Sequence, residues 1–113
     1  MEDAAALEQI VRGLLTSQRL AVLSTETGGA PYSSLIAFAA TADLKTLVFT
    51  TPRPTRKFAN LSENARVSLL VDNRANREED FAEAAAATIL GSAREAAKEE
   101  RESLLALFLQ KHP

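Results

Sequence analysis

Hydroxyl and cationic side chains alternate with prolines in TTPRPTRK, which runs from Thr50 to Lys57. If a helix begins here, the Thr55 hydroxyl is a favourable N-cap, and Arg56 and Lys57 occupy the first turn. Cations in a first turn oppose the helix macrodipole by about 0.3–1 kcal/mol each. A phosphate group would remove this conflict, because it accepts hydrogen bonds from free backbone N–H groups, the hydroxyl and the cationic side chains. The segment that includes Thr50, Thr51 and Thr55 therefore predicts a local anion site.

An alternative interpretation gives the same residues no ligand. Arg56 and Lys57 would then be surface charges paired with acids such as Glu63, and Thr55 would act only as a helix cap.

The acidic cluster Glu78, Glu79 and Asp80 is a second place where chemistry could occur, because carboxylates bind divalent cations. Adjacent carboxylates in a polar loop are usually solvated, however, so we expect no metal site there. The chain has no Cys and a single His, His112, which excludes thiolate and multi-histidine metal centres. We expect His112, near the end of the chain, to be a surface residue and not a ligand.

Charge and hydropathy limit the class of partner. The formal net charge of the 113 residues is -2, which argues against a nucleic-acid binder with a broad basic face. The first residues, MEDAAALEQIVRGLL, lack the order of a signal peptide, and no apolar run is long enough to cross a membrane. We therefore expect a cytoplasmic protein with neither nucleic acid nor membrane as its partner.

Hydrophobic spacing predicts the elements that must position the anion site. The first half is predicted as a helix over 4–15, strands over 19–25, 32–41 and 46–51, and a short helix over 55–64. A strand over 65–73 and a polar loop over 74–83 follow. The last elements are a strand over 84–96, with helix as the alternative at 84–87, and a helix over 96–113. This order does not alternate as a parallel α/β sheet would. It indicates an α+β, mainly β fold in one domain over 1–113, with antiparallel strands curled into a barrel and helices packed outside.

Three segments together carry a family resemblance: LAVLSTETGGAPYSS, LVFTTPRPTRKFANL and NARVSLLVD. In their order and spacing the chain resembles the pyridoxamine 5′-phosphate oxidase-like split-barrel family, which binds flavin mononucleotide (FMN). The region over 19–73 carries this resemblance, and GSAREA with the closing LQKHP is similar to the subgroup related to haem-utilisation proteins. Related proteins continue beyond the final His-Pro with a further helix and a closing strand, so we expect this chain to lack the last elements of the barrel.

The resemblance implies roles for individual residues. Thr55, Arg56 and Lys57 would hold the flavin phosphate, and Thr50 and Thr51 would contact phosphate or ribityl oxygens. Further contacts would come from the preceding strand, with Ser34 as a polar contact and the backbone of Leu35, Ile36 and Ala37 running past the isoalloxazine ring. The implied assembly is a homodimer with the flavin at its interface.

Departures from the family pattern limit the implied activity. Pyridoxamine-phosphate oxidases carry basic residues where this chain has Ser34 and Ala39, and a C-terminal substrate-binding segment that is missing here, so vitamin B6 oxidation is not expected. The resemblance implies an FMN-dependent oxidoreductase acting on an unidentified small molecule. A non-catalytic module that binds or stores flavin or haem, and a deazaflavin-dependent reductase, are the alternatives. No side chain is identified as a catalytic acid or base.

Overall fold

The computed structural model describes residues 4–52 and 54–113. Its elements are α1 (Ala4–Ser17), β1 (Leu20–Thr27), β2 (Ala30–Ala37), β3 (Ala39–Ala40), β4 (Leu47–Val48), α2 (Arg56–Glu63), β5 (Arg66–Asp72), α3 (Asp80–Glu83), β6 (Ala86–Ser92) and α4 (Arg101–Lys111). The predicted order of helices and strands is confirmed. Three details differ: the strand predicted over 32–41 is divided at Phe38 into β2 and β3, β4 is shorter than the strand predicted over 46–51, and the predicted polar loop over 74–83 contains the short helix α3.

Two antiparallel sheets form the framework of an open, split barrel. The larger sheet has the strand order β2-β1-β5-β6, and β3 pairs with β4 in a separate ribbon. Because β3 follows β2 after the single residue Phe38, the two strands form one bent path from the first sheet into the second. The antiparallel fold with flanking helices that the sequence predicts is confirmed. Within the described ranges, none of the helices combines the length and the apolar character needed to span a bilayer.

Strand alternation separates an apolar inner face from a mixed outer face. The buried hydrophobic cluster inside consists of Leu14, Leu15, Ala21, Leu23, Ile36, Phe38, Leu69 and Val71. On the outer face, Leu35 lies opposite Val22, which in turn lies opposite Leu70. Leu35, Leu20 and Leu90 are 62%, 50% and 80% exposed, so the outer face carries a patch of uncovered leucines.

Two asparagines anchor α2 to the β1–β2 hairpin. The Asn60 side chain is buried and donates from Nδ2 to the Thr25 hydroxyl over 3.0 Å. Asn64, just after the helix, donates to the Glu26 carboxylate over 2.7 Å. Leaving the buried Asn60 amide unpaired would cost free energy. Its bond to the Thr25 hydroxyl therefore fixes where the helix lies. The start of α2 is therefore held at a defined place beside the hairpin.

We predict that Asn60→Ala lowers the free energy of unfolding by about 1–3 kcal/mol, because the buried Thr25 hydroxyl loses its donor. Urea unfolding measures the change. Ser62→Ala is the matched control on the same helix, since the exposed Ser62 hydroxyl bonds, within the described part of the chain, only to the Phe58 carbonyl of its own helix. Equal stability of the Asn60 variant and the control would contradict the proposed anchoring.

Candidate functional site

The anion turn predicted from TTPRPTRK begins a helix where the sequence indicated. Thr55 has extended backbone angles, φ -127° and ψ 155°, and its hydroxyl accepts a 3.1 Å hydrogen bond from the Phe58 N–H. The Thr51 hydroxyl lies 3.2 Å from the Thr55 hydroxyl. The predicted N-cap is confirmed, and the two threonines form a pair of linked hydroxyls at the helix start.

Arg56 and Lys57 occupy the first turn of α2, which contains no acidic residue. Within residues 4–52 and 54–113 neither cation forms an ion pair, and this includes Glu63, the acid that the alternative interpretation would pair with them. Arg56 is exposed, and its guanidinium lies 5.9 Å from the centre of the Tyr32 ring. The unfavourable interaction of both cations with the helix dipole is therefore uncompensated by the described acidic groups.

The main chain of β2 offers hydrogen-bonding groups along an unpaired edge. The Phe38 N–H donates to the Arg19 carbonyl over 3.3 Å, and the register pairs Leu20 with Ala37 and Ala21 with Ile36. In an antiparallel ladder the bonded pairs alternate, so the amide groups of Ile36 face β1, whereas those of Leu35 and Ala37 face away. Among the described strands β2 is at the edge of its sheet. The outward groups of Leu35 and Ala37 are therefore available to a ligand.

Extending the β3–β4 ladder shows which residues after β4 correspond to this edge, although the described strands do not pair there. Strand β3 pairs Ala39 with Val48 and Ala40 with Leu47, and the ladder then stops. Continuing the same register would set Thr50 opposite Ala37 and Thr51 opposite Ile36. Because the ladder stops, this edge of β2 stays unpaired among the described strands, and we call the region between it and the segment of Thr50 and Thr51 the β2 slot.

Two buried hydroxyl oxygens have no hydrogen-bond partner in the described part of the chain, those of Ser34 and Thr27. Buried polar groups are almost always satisfied, so an orphaned hydroxyl is a candidate for contact with a ligand or water. Thr27 lines a crevice of about 290 Å³ together with Tyr32, Arg56 and Asn60. An orphaned hydroxyl on β2, and two cations at the start of α2 that form no ion pair with the described residues, fit a phosphorylated ligand with further polar groups.

On its other side, α2 borders a larger, open cavity of about 720 Å³, whose lining ranges from the buried Leu69 to the exposed Leu90. Its walls are mostly apolar, and they include Thr51 from the anion turn and Phe58 directly after it. This volume lies in the range of small-molecule pockets. The fold thus leaves room for a small molecule next to the turn.

Tyr32 was not predicted from the sequence as a site residue, and His112 was predicted to lie at the surface. Tyr32 lies beside Arg56, and its place two residues before Ser34 on the same strand face was the available signal. His112 is half-buried, with Nε2 2.7 Å from the Phe38 carbonyl oxygen, so the expectation of a surface residue was wrong. The apolar stretch before it, which packs the end of α4 inward, explains the difference.

Asp80, from the acidic cluster, stabilises its own loop. Its carboxylate accepts hydrogen bonds from the Ala75 N–H over 2.9 Å and the Arg77 N–H over 3.1 Å. These backbone contacts, with that to Ala75 the largest, lower the pKa of the Asp80 carboxyl. Among the described residues no group of three His, Cys, Asp or Glu side chains could hold a metal ion.

The fold and the turn together define a split-barrel protein with a threonine cap and two cations at a helix start. The family model for pyridoxamine 5′-phosphate oxidase matches residues 7–112, and the chain belongs to this family. No curated protein matches the sequence significantly.

Several solved structures are similar to this chain. A haem-binding protein from Mycobacterium smegmatis is 21% identical with a TM-score of 0.81, and the match covers 98% of this chain and 44% of that one. An FAD-binding protein from Mesorhizobium loti is 21% identical with a TM-score of 0.70, covering 98% of this chain and 75% of that one. HutZ, a haem storage protein from Vibrio cholerae, is 18% identical with a TM-score of 0.72, covering 93% and 75%. At these identities the likeness shows the fold, and this chain spans less than half the length of the mycobacterial protein.

We predict that Thr55→Ala lowers the free energy of unfolding of the ligand-free protein by about 1 kcal/mol, because the Phe58 N–H loses its capping acceptor. Thr55→Ser retains the hydroxyl and should unfold within a few tenths of a kcal/mol of the wild type. Both values come from chemical denaturation in a buffer without phosphate or sulfate. A Ser variant as unstable as the Ala variant would contradict capping by the hydroxyl.

Proposed function

We propose that this chain binds FMN in the β2 slot, with the phosphate at the start of α2. The observation that carries the proposal is the pair of cations, Arg56 and Lys57, that oppose the dipole of their helix without an acidic partner among the described residues. A phosphate dianion would interact favourably with both cations and with the free N–H groups of the first turn. The Thr55 hydroxyl, which here donates to the Pro52 carbonyl over 3.0 Å, and the Thr51 hydroxyl beside it would turn to donate to the same group, and Thr50 precedes them.

The dimensions of β2 suit the remainder of the nucleotide. Arg56 contacts Tyr32, so the phosphate end of the ligand would begin beside that residue. From Tyr32 to Ala37 an extended strand covers roughly 17 Å, which is comparable with the length of an extended FMN molecule. The orphaned Ser34 hydroxyl would meet the ribityl chain, and the outward amide groups of Leu35 and Ala37 would meet the ring. Ile36 would contribute by holding the strand to β1, since its own amide groups face that strand.

The proposed activity is that of a flavin-dependent oxidoreductase acting on a small molecule. Bound FMN supplies hydride or electron transfer, and hydrogen bonds from the protein to the ring tune its electronics. The contribution of this chain would be to anchor the phosphate and to orient the ring along β2, and the cavity of about 720 Å³ adjoins Thr51 of the phosphate turn.

Non-catalytic binding or storage of flavin or haem is the second candidate. It is favoured by two neighbours in structure, one described as haem-binding and one as a haem storage protein. His112, the only histidine of this chain, is poorly placed to ligate haem iron, because its Nε2 already bonds to the Phe38 carbonyl. A deazaflavin-dependent reductase would use the same phosphate turn.

The uncovered leucines on the outer sheet face support a homodimer. Leu35 and Leu90 are 62% and 80% exposed on the same face of one sheet. Burial of such side chains against a second copy is favourable by about 25 cal/mol per Å² of apolar surface. Because the main chain of Leu35 borders the β2 slot, a second copy packed on this face would lie next to the flavin ring.

We predict that the double variant Arg56→Ala/Lys57→Ala weakens FMN binding about a hundredfold, since two charge-assisted contacts to the phosphate are lost. Riboflavin, which lacks the phosphate, should bind the variant and the wild type equally. Flavin fluorescence titrations measure both dissociation constants.

Arg77→Ala/Lys98→Ala is the matched control, because it removes the same charge at two exposed positions outside the slot. This control should bind FMN as the wild type does. Failure of the wild-type protein to bind FMN, or equal losses in both double variants, would refute the proposed site.

A second variant tests the homodimer. Leu35→Glu should convert a dimeric wild-type protein to a monomer in sedimentation velocity, because a carboxylate in the leucine patch would be desolvated in the interface. Phe81→Glu, at a 98% exposed position away from the sheet, should remain dimeric. A monomeric wild type at micromolar concentration, or a dimeric Leu35 variant, would argue against this interface.

A further inference from the structure

Phe38 joins β2 to β3 at the end of the β2 slot. Its side chain is fully buried, and its N–H is tied to the Arg19 carbonyl at the start of the hairpin. Ala37, the last residue of the open edge, precedes it directly, and Ala39, the first residue paired with β4, follows it. The course of the chain at Phe38 therefore determines where β2 leaves its own sheet and how wide the slot is.

The end of α4 holds Phe38 through two consecutive side chains. Nε2 of His112 lies 2.7 Å from the Phe38 carbonyl oxygen, and because a carbonyl only accepts, this nitrogen carries the proton and donates it. The Lys111 ammonium lies 4.0 Å from the centre of the Phe38 ring, a cation–π contact. The Phe108 ring, 4.7 Å from the imidazole centre, orients His112.

Lys111 also connects the β2–β3 junction at Phe38 to α1. Its ammonium donates to the Leu15 carbonyl over 2.9 Å, in the last turn of α1. Carbonyls at a helix C-terminus lack intrahelical donors and attract cations. Partial burial lowers the pKa of the Lys111 ammonium, and the contacts to Leu15 and Phe38 offset the cost of that desolvation.

We infer that Lys111 and His112 are positioning residues for the proposed cofactor: by fixing Phe38 they set the geometry of the β2 slot and hence its affinity for FMN. The inference rests on the proposed function. Their polar contacts are with Phe38 and Leu15, so they act on the slot through the backbone that follows Ala37. Small displacements of binding groups weaken ligands strongly, because hydrogen bonds depend steeply on distance and angle.

The test measures the dissociation constant of FMN and the melting temperature for a series at position 112. His112→Ala should weaken FMN binding roughly five- to tenfold, which is the loss expected if the displaced edge of β2 gives up one hydrogen bond to the ligand. His112→Gln, whose amide N–H can reach the Phe38 carbonyl, should restore most of the affinity. Gln110→Ala, at an exposed position on the same helix, should bind as the wild type does.

Val71→Ala separates positioning from general destabilisation. This substitution empties part of the core on β5 and should lower the melting temperature at least as much as His112→Ala while leaving the FMN constant unchanged. If His112→Ala binds FMN as tightly as the wild type, or if Gln fails to rescue it, the positioning role is wrong although the FMN site stands. If the wild type itself does not bind FMN, the proposed function fails and the inference fails with it.

Discussion

The proposed ligand site depends on the electrostatics at the start of α2. Two cations sit at the positive end of a helix dipole, an arrangement that costs free energy in an empty site. The cost is tolerated because other contacts fix the helix: the Thr55 cap at its start and the buried Asn60 amide on the Thr25 hydroxyl in its middle. These contacts hold the cations beside the hairpin, where Arg56 lies over Tyr32.

The β2 slot depends on an interrupted ladder. Had β4 continued in register, the Thr50 backbone would have bonded to the outward amide groups of Ala37, whereas Pro52, opposite Leu35, could have offered only its carbonyl. Instead the pairing stops at Ala39 and Val48, and the chain turns through the prolines into α2. Pro52 and Pro54 favour this divergence, because neither can donate a ladder hydrogen bond. The same interruption that shortens the strand leaves main-chain groups open to a ligand.

Local signals in the sequence predicted much of the fold and of the anion turn, and long-range contacts account for the rest. The N-cap at Thr55 and the strand over 66–72 follow from residue type and alternation within a few positions. The early end of β4 does not, because TLVFTT has the composition of a full strand and only the tertiary path shows that pairing stops. Likewise, the contact between His112 and Phe38 joins residues far apart in the chain, and no local pattern indicates it. The proposal that the predicted anion site holds a flavin rests on family membership.

A crystal structure of the protein with FMN would test the central claim most directly. We expect the phosphate within hydrogen-bonding distance of the Thr55 hydroxyl and the cations at the start of α2. The isoalloxazine ring should lie along the open edge at Leu35 and Ala37. FMN found elsewhere on the molecule, with the start of α2 free of the phosphate, would contradict it.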